Sequence, residues 1–144
     1  MTVLAIGLNT NQIIKGCFGT LLKLAEKHTI NICITSNENF DKFNVYKINI
    51  NASTQDIISN LELLIKRVNP TIVFIPPDKR LRDISLVASR YVSNVIIYSI
   101  KKSANMIVDI NGTYDIKTKL LKTKKVEDKE MFKIYKMVLL DKWF

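Results

Sequence analysis

Histidine is nearly absent from this chain of 144 residues: His28 stands alone, and Cys17 and Cys33 are the only cysteines. No spacing among the three fits a zinc-binding pattern. His28 reads as an ordinary residue of the turn before a strand, away from any motif. Ser85, Ser89, Ser93 and Cys17 have no histidine near them in sequence, which removes the usual nucleophile–base pairs. Four glycines (Gly7, Gly16, Gly19 and Gly112) form neither a Walker phosphate loop nor a G-x-G-x-x-G dinucleotide fingerprint. No run of about 18 apolar residues occurs, so no membrane span is expected. The N-terminus lacks the basic and apolar regions of a secretory signal. A cytoplasmic setting is therefore expected, with both cysteines as buried, reduced thiols.

Acidic residues are scarce too. The chain has 13 Asp and Glu against 22 Lys and Arg, a formal net charge of +9. That balance favours anionic partners such as RNA, DNA or a membrane surface. Lys, Asn and Ile are all abundant, as an AT-rich genome would also produce, so compositional drift accounts for the lysine equally well. A hydrophobic share of 47% suits a single domain over residues 1–144 with an ordinary core.

Strands are expected at Val3–Leu8, Thr29–Ser36, Asn44–Ile50 (at a sheet edge), Thr71–Ile75 and Asn94–Ile100, with a short one at Met106–Ile110. Helices are expected at Ile13–Lys27, from an N-cap at Ser53 to about Val68, at Arg82–Val92 and from Tyr114 to about Lys125. Lys129–Trp143 reads as a last amphipathic helix. Alternating strands and helices imply a Rossmann-like three-layer α/β fold with a mainly parallel sheet of about five strands. Val3–Gly7 and Ile72–Ile75 are continuously apolar, so they should be neighbouring central strands. Ligands of such sheets bind beyond the carboxyl ends of the strands, where Leu8–Gln12 and Pro76–Asp83 fall.

The first segment, with Leu8-Asn9-Thr10-Asn11-Gln12 leading into Gly16-Cys17-Phe18-Gly19-Thr20-Leu21-Leu22-Lys23-Leu24-Ala25, resembles the PIG-L/LmbE-like de-N-acetylase family. That family opens G-A-H-P-D-D-I-E-x-G-C-G-G-T-L-x-K-L-A. Asn69-Pro70-Thr71-Ile72-Val73-Phe74-Ile75-Pro76 is similar to its R-P-D-V-V-F-T-P strand, and Asp78–Val87 falls where the family has D-x-H-P-D-H-x-A-V. Val108-Asp109-Ile110, followed by a lysine-rich helix, is similar to a late V-D-I segment and its helix. The resemblance spans most of the chain in order, although the chain is shorter than a typical member, lacking an insertion between the second and third strands. Scaffold residues carry it.

The resemblance implies a zinc site held by the first His and the second Asp of H-P-D-D and by the last His of the second motif. It also implies a water-activating first Asp and an assisting earlier His in the second motif. At these positions stand Asn9, Gln12 and Asp83, then Asn11, then Arg80. Catalytic zinc needs about three His, Asp, Glu or Cys ligands, and an amide cannot accept a proton near neutral pH. No bound metal, no cofactor and no hydrolysis by the family route are therefore expected.

What replaces the metal site is basic. Lys79, Arg80 and Arg82 face Asp78 and Asp83, and three of the four arginines lie between residues 80 and 90. Beside a helix N-terminus, Asn9, Asn11, Gln12, Lys79, Arg80, Arg82 and Asp83 form either a remodelled anion pocket or a solvated loop of ion pairs. A second candidate is the basic run Lys117, Lys119, Lys122, Lys124 and Lys125. The expected last helix offers either ordinary packing or an interface for a protein partner or a second copy.

The leading expectation is a non-catalytic, pseudoenzyme-type binding module that engages RNA or a ribonucleoprotein. The alternatives are a zinc-independent hydrolase acting on an N-acetylated sugar-type substrate and a regulatory subunit pairing with an active deacetylase.

Overall fold

In a computed structural model the described residues are 1–110, 114–121 and 129–136. They form strands β1 (Thr2–Gly7), β2 (Thr29–Ile34), β3 (Asn44–Lys47), β4 (Ile72–Ile75), β5 (Asn94–Tyr98), β6 (Met106–Asp109) and β7 (Lys129–Lys136). The helices are α1 (Thr10–Leu24), α2 (Thr54–Val68), α3 (Lys79–Ala88) and α4 (Tyr114–Leu121). One sheet of seven strands runs β3-β2-β1-β4-β5-β7-β6. The five strands from β3 to β5 are parallel; β7 pairs antiparallel with both β5 and β6.

The expected central pair is present: Val3, Leu4 and Ala5 of β1 lie beside Ile72, Val73 and Phe74 of β4. All four residues of β4 are buried, as are Val3 to Gly7. Successive side chains of a strand point to opposite faces. Val3 and Ala5 accordingly join the core beneath α1 with Phe18, Leu21 and Phe74. Leu4 and Ile6 join the opposite core with Ile57, Leu61, Leu81 and Ile84 of α2 and α3. The result is the three-layer arrangement anticipated, with β3 at one edge.

The strand count and the C-terminal helix need correction. Lys129–Lys136 is β7, not the start of a helix, and residues 137–143 of the expected helix lie outside the described residues. An interface built on a C-terminal helix therefore has no basis over Lys129–Lys136. The cause is visible in the alternation. Glu130 and Phe132 are buried while Lys129, Lys133 and Tyr135 are exposed. A carboxylate at an inward position hid a period of two behind apolar residues that also suit a helical stripe.

Helix starts also move toward the strands. Asn9 caps α1, its side chain accepting from the Gln12 N–H, so the helix begins three residues before Ile13. Asp78 caps α3 by accepting from the Leu81 N–H, so Lys79 and Arg80 join Arg82 and Asp83 in its first turns. Asn, Asp and Ser are preferred at such caps because a side-chain oxygen satisfies an otherwise orphaned donor. Ser53 caps α2 as expected.

Candidate functional site

The strand order reverses between β1 and β4, which places the turns after them, Leu8–Asn9 and Pro76–Asp78, side by side at the carboxyl edge of the sheet. This is the switch point at which parallel α/β sheets usually bind ligands. The structure thus brings Asn9, Asn11 and Gln12 of α1 to the same edge as Lys79, Arg80, Arg82 and Asp83 of α3.

Most of these side chains are already engaged. Asn9 Oδ1 accepts from the Gln12 N–H at 2.8 Å, and Gln12 Oε1 accepts from the Leu8 N–H at 2.7 Å. Both amide oxygens close the turn between β1 and α1. Arg80 donates from Nη1 to the Ile50 carbonyl at 2.9 Å and from Nη2 to that of Ala52 at 3.4 Å, strapping the segment before α2 to α3. Arg82 Nε lies 3.5 Å from Asp83 Oδ1, with side chains 33% and 58% exposed. An exposed pair of that kind contributes little. Asn11 and Lys79 are exposed.

Glu38 is a site residue that sequence reasoning missed. Phe40 and Phe43 pack on Phe18 of α1, with ring centroids 5.5 and 6.0 Å from it, and so hold the segment after β2 against the helix. Glu38 then reaches the first turn of α1. Its Oε2 accepts from the Thr10 hydroxyl at 2.8 Å, and its Oε1 accepts from the Ser36 hydroxyl at 2.7 Å and from the Thr10 N–H at 3.3 Å. The Ser36 bond, then those of Thr10, hold its carboxyl below the usual value. The helix N-terminus that was to attract an anion already carries the protein's own carboxylate.

Tyr98 forms the floor. Fully buried at the end of β5, its hydroxyl donates to the Ile6 carbonyl at 2.7 Å and lies 3.5 Å from Gln12 Oε1. Burial, then the neighbouring Cys17 and Asp78, push its ionisation well above the ordinary tyrosine range. A β-carbon at Gly16 would stand 2.3 Å from the Tyr98 ring, and one at Gly7 would stand 3.0 Å from its hydroxyl. Gly16 thus makes room for the ring, and Gly7 for its hydroxyl and for Ile13.

The residues present do not fit a catalytic zinc. The positions that the sequence resemblance gives to metal ligands hold two neutral amides whose oxygens already accept main-chain hydrogen bonds, and the remaining acid, Asp83, is solvent-exposed beside Arg82. Among the described residues no three His, Cys, Asp or Glu side chains gather in a group that could hold a metal ion. His28 lies in the turn before β2, at the opposite end of the sheet.

The basic run divides. Lys117, expected at the surface, is buried: its Nζ donates to Glu130 Oε2 at 2.7 Å and to the Lys15 carbonyl at 2.8 Å. The Glu130 carboxylate also accepts from the main-chain N–H groups of Gly19 at 2.9 Å and Thr20 at 2.7 Å. The pair is therefore a buried bolt joining α4 and β7 to α1. Lys119 is exposed, while Lys122, Lys124 and Lys125 lie outside the described residues. No helix among the described residues is long and apolar enough to cross a membrane.

Comparison with known proteins places the architecture. The sequence matches no protein-family model and no curated protein. Among solved structures it is similar to the conserved protein TT1542 from Thermus thermophilus, with a TM-score of 0.76 at 15% identity over 99% of this chain and 98% of that one. It is also similar to the deacetylase of the teicoplanin biosynthesis pathway in complex with teicoplanin, with a TM-score of 0.68 at 8% identity over 93% and 98% of the two chains. A third is GalB, the 4-carboxy-2-hydroxymuconate hydratase of Pseudomonas putida, with a TM-score of 0.67 at 8% identity over 97% and 98%. The chain thus shares the fold of these structures, and at these identities the likeness concerns the fold alone.

Proposed function

We propose that the chain is a non-catalytic binding module on this scaffold, and that it engages an anionic partner, RNA or a ribonucleoprotein, through exposed basic side chains. One observation carries the non-catalytic part: Asn9 and Gln12, at the positions of two metal ligands, use their amide oxygens to close the β1–α1 turn. An amide held this way offers zinc only a weak, already occupied donor, and Asn11 cannot serve as a base. The net charge of +9 supports the anionic partner. With Glu38 over the α1 N-terminus and Arg80 bonded to two carbonyls, the vacated pocket is the poorer candidate contact. Lys119, exposed on α4, and the run Lys122, Lys124 and Lys125 that follows it in sequence are the better one.

Two assays test this reading. Elemental analysis of the purified chain should find no stoichiometric zinc, and N-acetyl sugars should not be hydrolysed. One tightly held zinc per chain, with hydrolysis lost in Asp83→Ala, would overturn it in favour of an altered hydrolase. Replacing Lys119, Lys122, Lys124 and Lys125 with glutamine should weaken RNA binding, while Arg80→Ala with Arg82→Ala should change it little. The opposite ranking would return the contact to the pocket.

A further inference from the structure

The end of the sheet opposite the switch point carries a concave surface. Between the C-terminal ends of α2 and α3 lies a cavity of about 420 Å³ whose walls include Lys66, Asn69, Thr71, Arg90, Tyr91 and Ser93. Its volume falls in the range of small-molecule sites. Tyr91 stands at its rim with 88% of its surface exposed. The guanidinium carbon of Arg90 is 4.9 Å from the centre of that ring.

Arg90 is fixed from three sides. Glu62 pairs with its Nη1, the same nitrogen donates to the Val87 carbonyl at 3.1 Å, and Lys136 Nζ donates to the Arg90 carbonyl at 2.8 Å. Glu62, the acid in the cavity wall, is thereby neutralised in place, while Lys66 and Lys136 leave the surroundings positive. An exposed aromatic ring, a guanidinium beside it, a recess and surplus lysine charge are the parts from which stacking sites for unpaired bases are made.

We infer that this surface holds an unpaired base of single-stranded RNA stacked on Tyr91, with a flanking phosphate on Lys66. The inference rests on the nucleic-acid reading above and adds to the lysines around Lys119 a second contact, on the α2 and α3 side of the sheet. A duplex cannot use the site, because its bases are already stacked on one another, whereas a single strand can turn one out onto the ring. Sequence preference should be slight, since every base presents a π-face.

The test is fluorescence anisotropy with the full chain and a labelled oligoadenylate of about 12 nucleotides, a length within known site sizes. The duplex of the same length and free adenosine monophosphate serve as comparisons. Tyr91→Ala should weaken the single strand about tenfold or more, the scale of one lost stacking contact. Tyr91→Phe should restore affinity to within about twofold, since the π-face is what stacks. Lys66→Gln should flatten the salt dependence by about 0.7 in the logarithmic slope, the value of one phosphate contact on a single strand, which Tyr91→Ala leaves unchanged. Strand binding that is intact in Tyr91→Ala overturns this assignment and leaves the nucleic-acid reading standing; duplex affinity equal to that of the strand does the same. Monophosphate binding as tight as the strand overturns RNA as the source of the base. Absence of any strand binding in the wild type overturns both the assignment and the reading it rests on.

Discussion

Lys117→Met should be among the most destabilising single changes on the α1 face. The Lys117 and Glu130 side chains are 3% and 0% exposed. Lys117 bridges Glu130 to the Lys15 carbonyl, and Glu130 receives two main-chain N–H groups of the same helix. Removing the ammonium leaves a buried carboxylate with only neutral donors. Breaking one partner of a buried pair costs about 3–5 kcal/mol, and the two retained N–H groups argue for the lower end, about 3 kcal/mol. For a domain of this size that corresponds to a fall in melting temperature of roughly 10 °C. The double variant Lys117→Met, Glu130→Leu removes both charges. It should be more stable than Lys117→Met alone, because no uncompensated ion remains. Urea unfolding followed by circular dichroism compares the wild type with both variants. A Lys117→Met loss under about 1 kcal/mol, the value of an exposed pair, or a double variant worse than the single, would refute the buried-bolt description.

Gly16→Ala should destabilise by about 1–3 kcal/mol as an overpacking change, because the new methyl would stand 2.3 Å from the Tyr98 ring; adding Tyr98→Leu should recover part of the loss in the same unfolding assay. Burial pushes the Cys33 thiol up to about 12, and burial with the nearby Glu130 carboxylate raises Cys17 well above its ordinary value despite Lys117. Neither should react with iodoacetamide at mildly alkaline pH until urea unfolds the chain, and prompt alkylation of the native protein would contradict that packing. Glu38, held low by Ser36 and Thr10, contributes stability that is fully present above the unfolded carboxylate value and is lost as pH falls through its folded value. A carboxyl titration by NMR should find Glu38 below the usual glutamate range, rising toward it in the Ser36→Ala, Thr10→Ala variant.

The parallel half of the sheet was legible because its strands are short apolar runs between helix-period segments, a pattern set locally. β1 and β4 needed no partner to be recognised as central. β7 was misread because its partners, β5 and β6, are distant in sequence and its inward Glu130 interrupts the apolar alternation. Only the three-dimensional pairing with Lys117 explains a carboxylate there. The same pairing removed Lys117 from a lysine run that looked uniformly solvated. At the candidate site the positions of Asn9, Gln12 and Arg80 followed from strand order, but their engagement with main-chain groups did not. Glu38 had no signal at all beyond its place after β2, since its approach to α1 depends on Phe40 and Phe43 packing against Phe18.

The most direct test of an RNA-binding role is the affinity of the full wild-type chain for single-stranded RNA measured across a range of monovalent salt. Contact between lysines and phosphates releases counterions, so the logarithm of the association constant should fall linearly with that of the salt concentration, by about 0.7 per phosphate neutralised on a single strand. The expected result is a steep slope corresponding to several contacts. Absent or salt-insensitive binding would contradict it, and would leave the net charge of +9 as a property of composition rather than of function.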